Sequence, residues 1–308
     1  MKIFSYIAIL MLTVFLLACG KGVVEVTNES YEPRLVIEGV LLAGQKVDKI
    51  RVSRNFRLGA NLATSDMVIS DAQVTILDVS AGRTYALTFH ESPEPSNTPR
   101  IDRAYYRYEG EDWLIEHGKS YTLDVRATVE GKVLHARATT IVPQAGFRIV
   151  ALNHDSLRYR QRDGNGEVMS FELIIDRSPG TNYYVSVIRP VAANLDNFIY
   201  GNAYVDLDPE DVAEDFDDFT HSIEWVQDTP LTAGQSIINT FWWDFWFYSE
   251  YEIVTYASDK NYKEFMQTYG DVQEEDGNFH EAKFNFEGEA IGYFGSAVMA
   301  SARVRVIK

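Results

Sequence analysis

Acid–base, nucleophilic and metal chemistry would have to come from six histidines, one cysteine and 45 Asp and Glu residues in this chain of 308. The histidines lack the His-x-x-x-His spacing of a zinc-binding helix; they are His90, His117, His135, His154, His221 and His280. A Gly-x-Ser-x-Gly turn, a P-loop and a Gly-x-Gly-x-x-Gly motif are also missing from the sequence. We therefore expect a protein without enzymatic activity. The alternative is a carbohydrate-active hydrolase with two Asp or Glu, whose pairing across strands sequence spacing does not reveal.

The single cysteine lies at the end of an apolar leader. Met1 and Lys2 form a short positive region, and Ile3–Leu17 is a mostly apolar run that suits a signal peptide and is short for a spanning helix. The following residues, Leu16–Gly20, resemble the bacterial lipobox. The resemblance implies cleavage between Ala18 and Cys19 and a diacylglycerol on the Cys19 thiol. An ordinary signal peptide with an incidental cysteine is the alternative.

The predicted lipid would anchor the chain to a membrane. Gly20, rather than Asp, stands at the second position of the predicted mature chain. A retention signal for the inner membrane is thus absent, and we expect the outer membrane, with the leaflet left open. Residues 19–32 are polar without hydrophobic periodicity and are interpreted as a tether.

The net charge of −17 is unevenly distributed. Residues 20–146 carry 15 basic and 17 acidic side chains, whereas residues 147–308 carry 12 basic and 28 acidic side chains. Nucleic-acid binding is disfavoured, because it requires basic residues to neutralise phosphates. The excess negative charge therefore belongs to the second half of the chain.

Short apolar runs separated by turns begin at Pro33, and the run over 48–54 alternates between apolar and polar residues. They include residues 35–42, 48–54, 72–78, 83–89, 120–127 and 133–141. Runs of this length with frequent turns indicate an antiparallel β-sandwich. Val142–Gly146 contains Pro and Gly and is interpreted as a boundary. We predict a sandwich over 33–143 and a second, acidic and aromatic-rich β domain over 147–308.

The second part has strand patterns with one helical exception. Trp242–Ala257 alternates and is predicted to be a strand. Ser258–Tyr269 has helical spacing, with Ser258 as the expected N-cap and Gly270 as the expected stop. The predicted fold class is therefore all-β with one short helix.

An acidic run and an aromatic run dominate residues 190–259, which contain no Lys or Arg. One interpretation is a solvated acidic loop beside core aromatics. A second is a site for a carbohydrate or a cationic small ligand, because rings stack on sugars or cations and carboxylates accept hydrogen bonds. If the aromatic run is a strand, one of its faces presents the candidate ligand-binding residues Trp242, Asp244, Trp246 and Tyr248. A third is calcium, with alternate ligands Asp206, Asp208 and Glu210, although Asp211 replaces the expected glycine.

A family resemblance covers most of the predicted mature chain. The segments that carry it are Pro33–Gly39, Ile50–Arg54, Ser70–Ile76, Gly118–Leu123, Thr140–Pro143, Asn261–Phe265 and Asn285–Gly295. Their order is similar to that of the bacterial lipoprotein family catalogued as domain of unknown function 4249. The resemblance implies an immunoglobulin-like N-terminal sandwich, a second β-rich part and association with TonB-dependent outer-membrane receptors. It implies no activity, and residues 206–248 match no family pattern.

The sequence thus predicts an outer-membrane lipoprotein that binds a ligand or a partner, as an accessory of a TonB-dependent uptake system. A purely structural envelope protein is a further alternative. No cofactor is expected unless the acidic run binds calcium.

Overall fold

Alternation of buried and half-buried side chains marks most strands, as in β1, where Leu35, Ile37 and Leu41 face a core. The structure is a computed structural model that describes residues 31–57, 59–93, 99–202, 207–226, 229–272 and 282–308. The strands are β1 (Leu35–Leu42), β2 (Ile50–Arg54), β3 (Gln73–Asp78), β4 (Arg83–Glu91), β5 (Ala104–Arg107), β6 (Ser120–Val129), β7 (Lys132–Ile141), β8 (Arg148–Leu152), β9 (Ser156–Arg158), β10 (Phe171–Asp176), β11 (Tyr184–Pro190), β12 (Ser222–Val226), β13 (Gln235–Thr240), β14 (Glu250–Ser258), β15 (Glu287–Gly288) and β16 (Ala290–Ile307).

Helical structure is confined to short segments and one longer helix. The helices are α1 (Arg100–Arg103), α2 (Pro209–Glu214) and α3 (Lys260–Val272). Short 3-10 turns lie at Thr64–Met67, Leu195–Asn197, Phe216–Phe219 and Trp242–Asp244. The predicted all-β class with a short helix is confirmed. Within the described residues, no helix has both the length and the apolar character needed to span a bilayer.

An N-terminal sandwich is formed by β1–β7 with β15 and the first half of β16. The strands follow the order β1-β2-β5-β4-β3-β6-β7-β15. Strand β4 turns the corner, since its first half pairs with β3 and Thr88–Glu91 pairs with β5. The core contains Trp113, whose ring stacks on Tyr85 with centroids 3.7 Å apart.

Residues 287–292 close this sandwich by joining its two edges. β15 pairs with β7, and β16 then pairs with β1 in parallel. Gly288 and Gly292 have φ of 95° and 113°, and a Cβ at either position would lie 2.1 or 2.0 Å from the carbonyl oxygen of His135 or Ile37. Both positions therefore require glycine.

A C-terminal sandwich is formed by two packed sheets. One contains β12-β11-β14 and the second half of β16, and the other contains β13-β10-β8. Its core includes Phe171, Tyr184, Ile253, Phe247 and Val304. The first core draws on residues 35–142 and also on Ala290 and Phe294, so β16 crosses the predicted boundary and contributes to both cores.

Tyr31 and Glu32 form a separate small unit with the described part of 56–60, in which the Arg57 guanidinium lies 5.1 Å from the Tyr31 ring centre.

Helix α3 begins at Lys260, two residues later than predicted, and extends through Gly270 to Val272. Asp259 rather than Ser258 is the N-cap, because its Oδ1 accepts a hydrogen bond from the Tyr262 amide at 3.0 Å.

Candidate functional site

The aromatic segment 241–249 is not a strand. The strand predicted over Trp242–Ala257 is therefore wrong in its first part, which contains the candidate residues Trp242–Tyr248. The Asp244 carboxylate accepts a hydrogen bond from the Phe241 amide, which closes the 3-10 turn Trp242–Asp244. The Tyr251 hydroxyl then accepts a hydrogen bond from the Phe247 amide at 2.7 Å and donates one to the Phe247 carbonyl at 2.9 Å. These local side-chain bonds use backbone groups that a strand would pair, and β14 begins only at Glu250.

The four candidate ligand residues occupy three different environments. Trp242 and Tyr248 flank the Tyr159 ring, with centroids 6.0 and 6.3 Å away. Trp246 instead packs against Phe198 and Phe219, at 6.0 and 4.9 Å. Asp244 is buried, with 5% of its surface exposed. The structure therefore brings together only two of the four.

Cations already cover the two rings that flank Tyr159. The Arg160 guanidinium lies 4.8 Å from the Trp242 ring centre, and the Lys308 ammonium lies 5.5 Å from that of Tyr248. Both cations come from outside the acidic window, and sequence reasoning did not connect them with the aromatic run. Stacking of a ligand on Trp242 would have to compete with Arg160.

A small cavity lies beneath Trp242. Its volume is about 20 Å³, and Tyr159, Phe171 and Phe245 are among its lining residues. The Tyr159 hydroxyl is buried without a hydrogen-bond partner among the described residues, and burial raises its pKa to about 12. A space of this size holds one water rather than a sugar or a drug-sized ligand.

The acidic run forms an exposed surface above an aromatic cluster. Asp208 caps α2 through hydrogen bonds that its Oδ1 accepts from the amides of Glu210 and Asp211, at 2.9 and 3.1 Å. Val212 is fully buried below the helix, while Phe216 and Phe219 pack against Phe247, Phe198 and Trp246. We name the exposed carboxylates the acidic face; they are Asp208, Glu210, Asp211, Glu214, Asp215, Asp217 and Asp218.

The acidic face has no ion-pair partner in the described part of the chain. Seven like charges on 11 residues repel one another in proportion to their proximity. The aromatic cluster holds the segment in place against this repulsion. The first interpretation of the sequence, acids outside and aromatics inside, therefore describes the local packing.

The described residues do not assemble a set of calcium ligands at the acidic run. Within the described residues, no three His, Cys, Asp or Glu side chains are grouped so that they could hold a metal ion. Asp208 uses Oδ1 for the helix cap, and Glu210 is exposed. Asp206 lies outside the described residues, as do Ala18 and Cys19.

A buried carboxylate that sequence reasoning missed lies under the start of α3. The Asp259 Oδ2 accepts a hydrogen bond from the Thr140 hydroxyl at 2.6 Å, and Thr140 Oγ1 lies 2.7 Å from Ser296 Oγ. Burial raises the pKa of Asp259, against the opposing effect of the hydrogen bond from Thr140. This group joins α3 to β7 and β16. Its partners lie 119 and 37 positions away along the sequence, which explains why spacing did not reveal them.

A depression of about 400 Å³ beside α3 contains two carboxylates, Asp259 and Glu264. Asp259 is committed to the cap and to Thr140. Glu264 Oε1 lies 3.6 Å from the Lys260 ammonium and 3.8 Å from that of Lys283. This pair therefore lacks a second free carboxylate of the kind that glycoside hydrolysis uses.

Comparison with known proteins gives a family and no named relative. No curated protein matches the chain. A family model described as domain of unknown function (DUF4249) matches residues 23–303. The match covers both sandwiches and the closing residues 287–292, and the resemblance inferred from the sequence segments is confirmed. This chain belongs to the DUF4249 family.

Proposed function

We propose that this protein is a non-enzymatic lipoprotein of the outer membrane that binds a partner, as an accessory of a TonB-dependent receptor. The lipid would be attached to Cys19, where the lipobox-like residues Leu16–Gly20 end. The polar residues 19–32 would tether the sandwiches to the membrane surface. The proposed location and the proposed association with a receptor are what the resemblance to the DUF4249 family implies, and the family match over residues 23–303 supports that resemblance.

The acidic face is the observation that carries the proposal. Its seven carboxylates are exposed and lack cationic partners in the part of the chain that the structure describes. Complementary potentials accelerate and orient association. A positively charged surface on a receptor would therefore be attracted to this face. The half-buried Trp246 and the exposed Tyr200 lie beside the same aromatic cluster. Both would add apolar contact with the receptor.

A capture experiment tests partner and location together. The tagged full-length protein is isolated from native membranes at low and high salt, and the receptor is identified in the captured material. Neutralising five carboxylates should reduce capture several-fold, and high salt should act in the same direction; the changes are Glu210→Gln, Asp211→Asn, Glu214→Gln, Asp217→Asn and Asp218→Asn. Asp208 is retained because it caps α2.

The matched control neutralises five exposed acids elsewhere, which alters the net charge equally; these are Asp48, Asp71, Asp102, Asp155 and Glu167. Capture that falls equally in both variants would contradict a role for the acidic face. Cys19→Ala should move the protein to the soluble fraction. Persistence in the membrane would contradict lipid attachment at Cys19.

A further inference from the structure

A further concave surface lies on the sheet in which β11, β14, β16 and β1 are consecutive neighbours, on the face away from the hydrophobic cores. It is a groove of about 300 Å³ beside α3. Its lining combines strands of the two sandwiches; the residues that matter here are Val40, Leu42, Val185, Arg189, Ser258 and Ala297. Most of these side chains are apolar. The volume is at the lower end of the range for small-molecule sites.

Sheet register explains why the groove exists. Ala297 on β16 pairs with Leu42 on one side and with Ser258 on the other. Ser258 and Ala297 are small, so this row of the sheet is lower than its surroundings. Tyr262 of α3 borders it on one side and Tyr256 of β14 on the other. The alternate residues Tyr251, Ile253 and Ala257 face the second core, which places Tyr256 and Ser258 on the outer face.

The floor of the groove contains an orphaned polar group. Ser258 is 0% exposed, and its hydroxyl has no hydrogen-bond partner among the described residues. A buried hydroxyl without a partner is energetically unfavourable, because the group has lost its hydrogen bonds to water. Most buried polar groups in folded proteins are paired, so an exception that lines a cavity indicates a missing partner. Since a hydroxyl readily donates, an oxygen acceptor on a ligand would satisfy it.

One end of the groove carries positive charge. Arg189 is exposed and forms no ion pair within the described residues. Arg189 and its cross-strand neighbour Glu252 form no ion pair, since no salt bridge within 4 Å joins them. The guanidinium is therefore available to an anionic group, and its planar donors suit a carboxylate.

We infer that this groove binds a small amphipathic carboxylate, with its apolar chain or ring on Val40, Leu42 and Ala297, an oxygen near Ser258 and its charge near Arg189. This site is separate from the acidic face, and the inference does not depend on the proposed function. The occupant is a small molecule rather than a protein segment, because the space is narrow and both polar groups call for acceptor oxygens.

The probe is 4-phenylbutyrate, an aryl acid of suitable size, with the neutral 4-phenylbutanol as the charge control. Binding is measured by titration calorimetry on the full-length protein in lipid nanodiscs, with empty nanodiscs subtracted. We expect saturable binding of 4-phenylbutyrate. Ser258→Ala should weaken it by about 3- to 10-fold, which corresponds to one hydrogen bond. Arg189→Gln should weaken the acid by a similar factor and leave the alcohol unchanged.

Two further variants separate binding from folding. Ala297→Leu should abolish binding by filling the groove, whereas Ala151→Leu, the same change at an exposed position of β8, should not affect it. Ser258→Ala without ligand should melt no lower than the parent protein, because it removes an unpaired hydroxyl. The inference is overturned by an absence of binding up to about 10 mM, by binding that survives Ala297→Leu, or by unchanged affinity in Ser258→Ala.

Discussion

The buried carboxylate Asp259 offers the sharpest test of the energetics. It caps α3 through the Tyr262 amide and accepts a hydrogen bond from Thr140, and only 7% of its surface is exposed. Asp259→Ala removes the cap, which contributes about 1 kcal/mol. It also removes a hydrogen bond to a charged acceptor, worth about 1.5–3 kcal/mol, while relieving the desolvation of the charge. We expect a net loss of about 2 kcal/mol, or about 4 °C in Tm.

Asp259→Asn separates the cap from the charge. The Asn Oδ1 can still accept from the Tyr262 amide, and its Nδ2 can donate to Thr140, which then donates to Ser296. At pH 7 we therefore expect Asp259→Asn to be within about 0.5 kcal/mol of the parent or more stable, since Asn and Asp cap equally well. Thr140→Val leaves the buried carboxylate without its donor and should destabilise by about 1–3 kcal/mol. Asp208→Asn on the exposed α2 is the matched control for the cap.

The pH dependence follows from the raised pKa of Asp259. The folded protein binds this proton more tightly than the unfolded chain, whose Asp pKa is about 3.9. The stabilising contribution is thus complete below about pH 3.9 and is lost as pH rises through the folded pKa. The Tm advantage of Asp259→Asn over the parent should be larger at pH 8 than at pH 4.5. An advantage that shrinks on going to pH 8, or a loss in Asp259→Asn as large as in Asp259→Ala, would refute the reasoning.

Three further predictions concern stability. Gly292→Ala should destabilise by about 2–5 kcal/mol in chemical denaturation, because φ is 113° and the new Cβ would meet the Ile37 carbonyl; Gly82→Ala, with positive φ but open space, should cost only about 1–2 kcal/mol. Tyr159→Phe should be neutral or stabilising in thermal melts, whereas Tyr251→Phe, which loses two hydrogen bonds, should cost about 1–3 kcal/mol; equal losses would contradict this contrast. Hydrogen bonds from Arg305 and Arg303 lower the pKa of Glu250 in the folded protein. The stability that the Glu250 carboxylate contributes is therefore present above its unfolded-state pKa and is lost as pH falls through its folded-state pKa. Glu250→Gln should flatten the acid side of the plot of Tm against pH, and an unchanged plot would exclude that role.

The strands were predictable where local pattern and burial agree. Residues 35–42 form a short apolar run in the sequence, and β1 buries alternate side chains of that run. The glycines of 287–292 appeared as part of a family resemblance, but their physical role depends on β7 and β1, whose paired residues lie more than 100 positions earlier in the chain. Local periodicity contains no information about such pairings.

The candidate site was less predictable, because side-chain hydrogen bonds decide the local backbone. Trp242–Tyr248 alternates like a strand, yet Asp244 and Tyr251 hold the segment in another conformation. Arg160, which covers Trp242, lies 82 positions earlier. Ser258 was expected to cap α3, and instead it lines a groove together with residues of β1, β11 and β16. For Trp242 and Ser258 the deciding neighbours are distant in sequence, whereas the bonds of Asp244 and Tyr251 are local but are not visible in the hydrophobic pattern.

The 18-residue strand β16 also constrains when the protein can fold. Ala290 and Phe294 complete the first core, although the rest of that core lies within residues 35–142. A growing chain therefore cannot finish its N-terminal sandwich during synthesis of the residues before 290. We expect ribosome-bound chains ending at residue 281 to be digested rapidly by protease, and full-length chains to become resistant in one step. Early protease resistance of the shorter chain would show that the N-terminal sandwich folds alone. If resistance is acquired only by the full-length chain, the order of synthesis keeps the chain unfolded until almost all of it has been made.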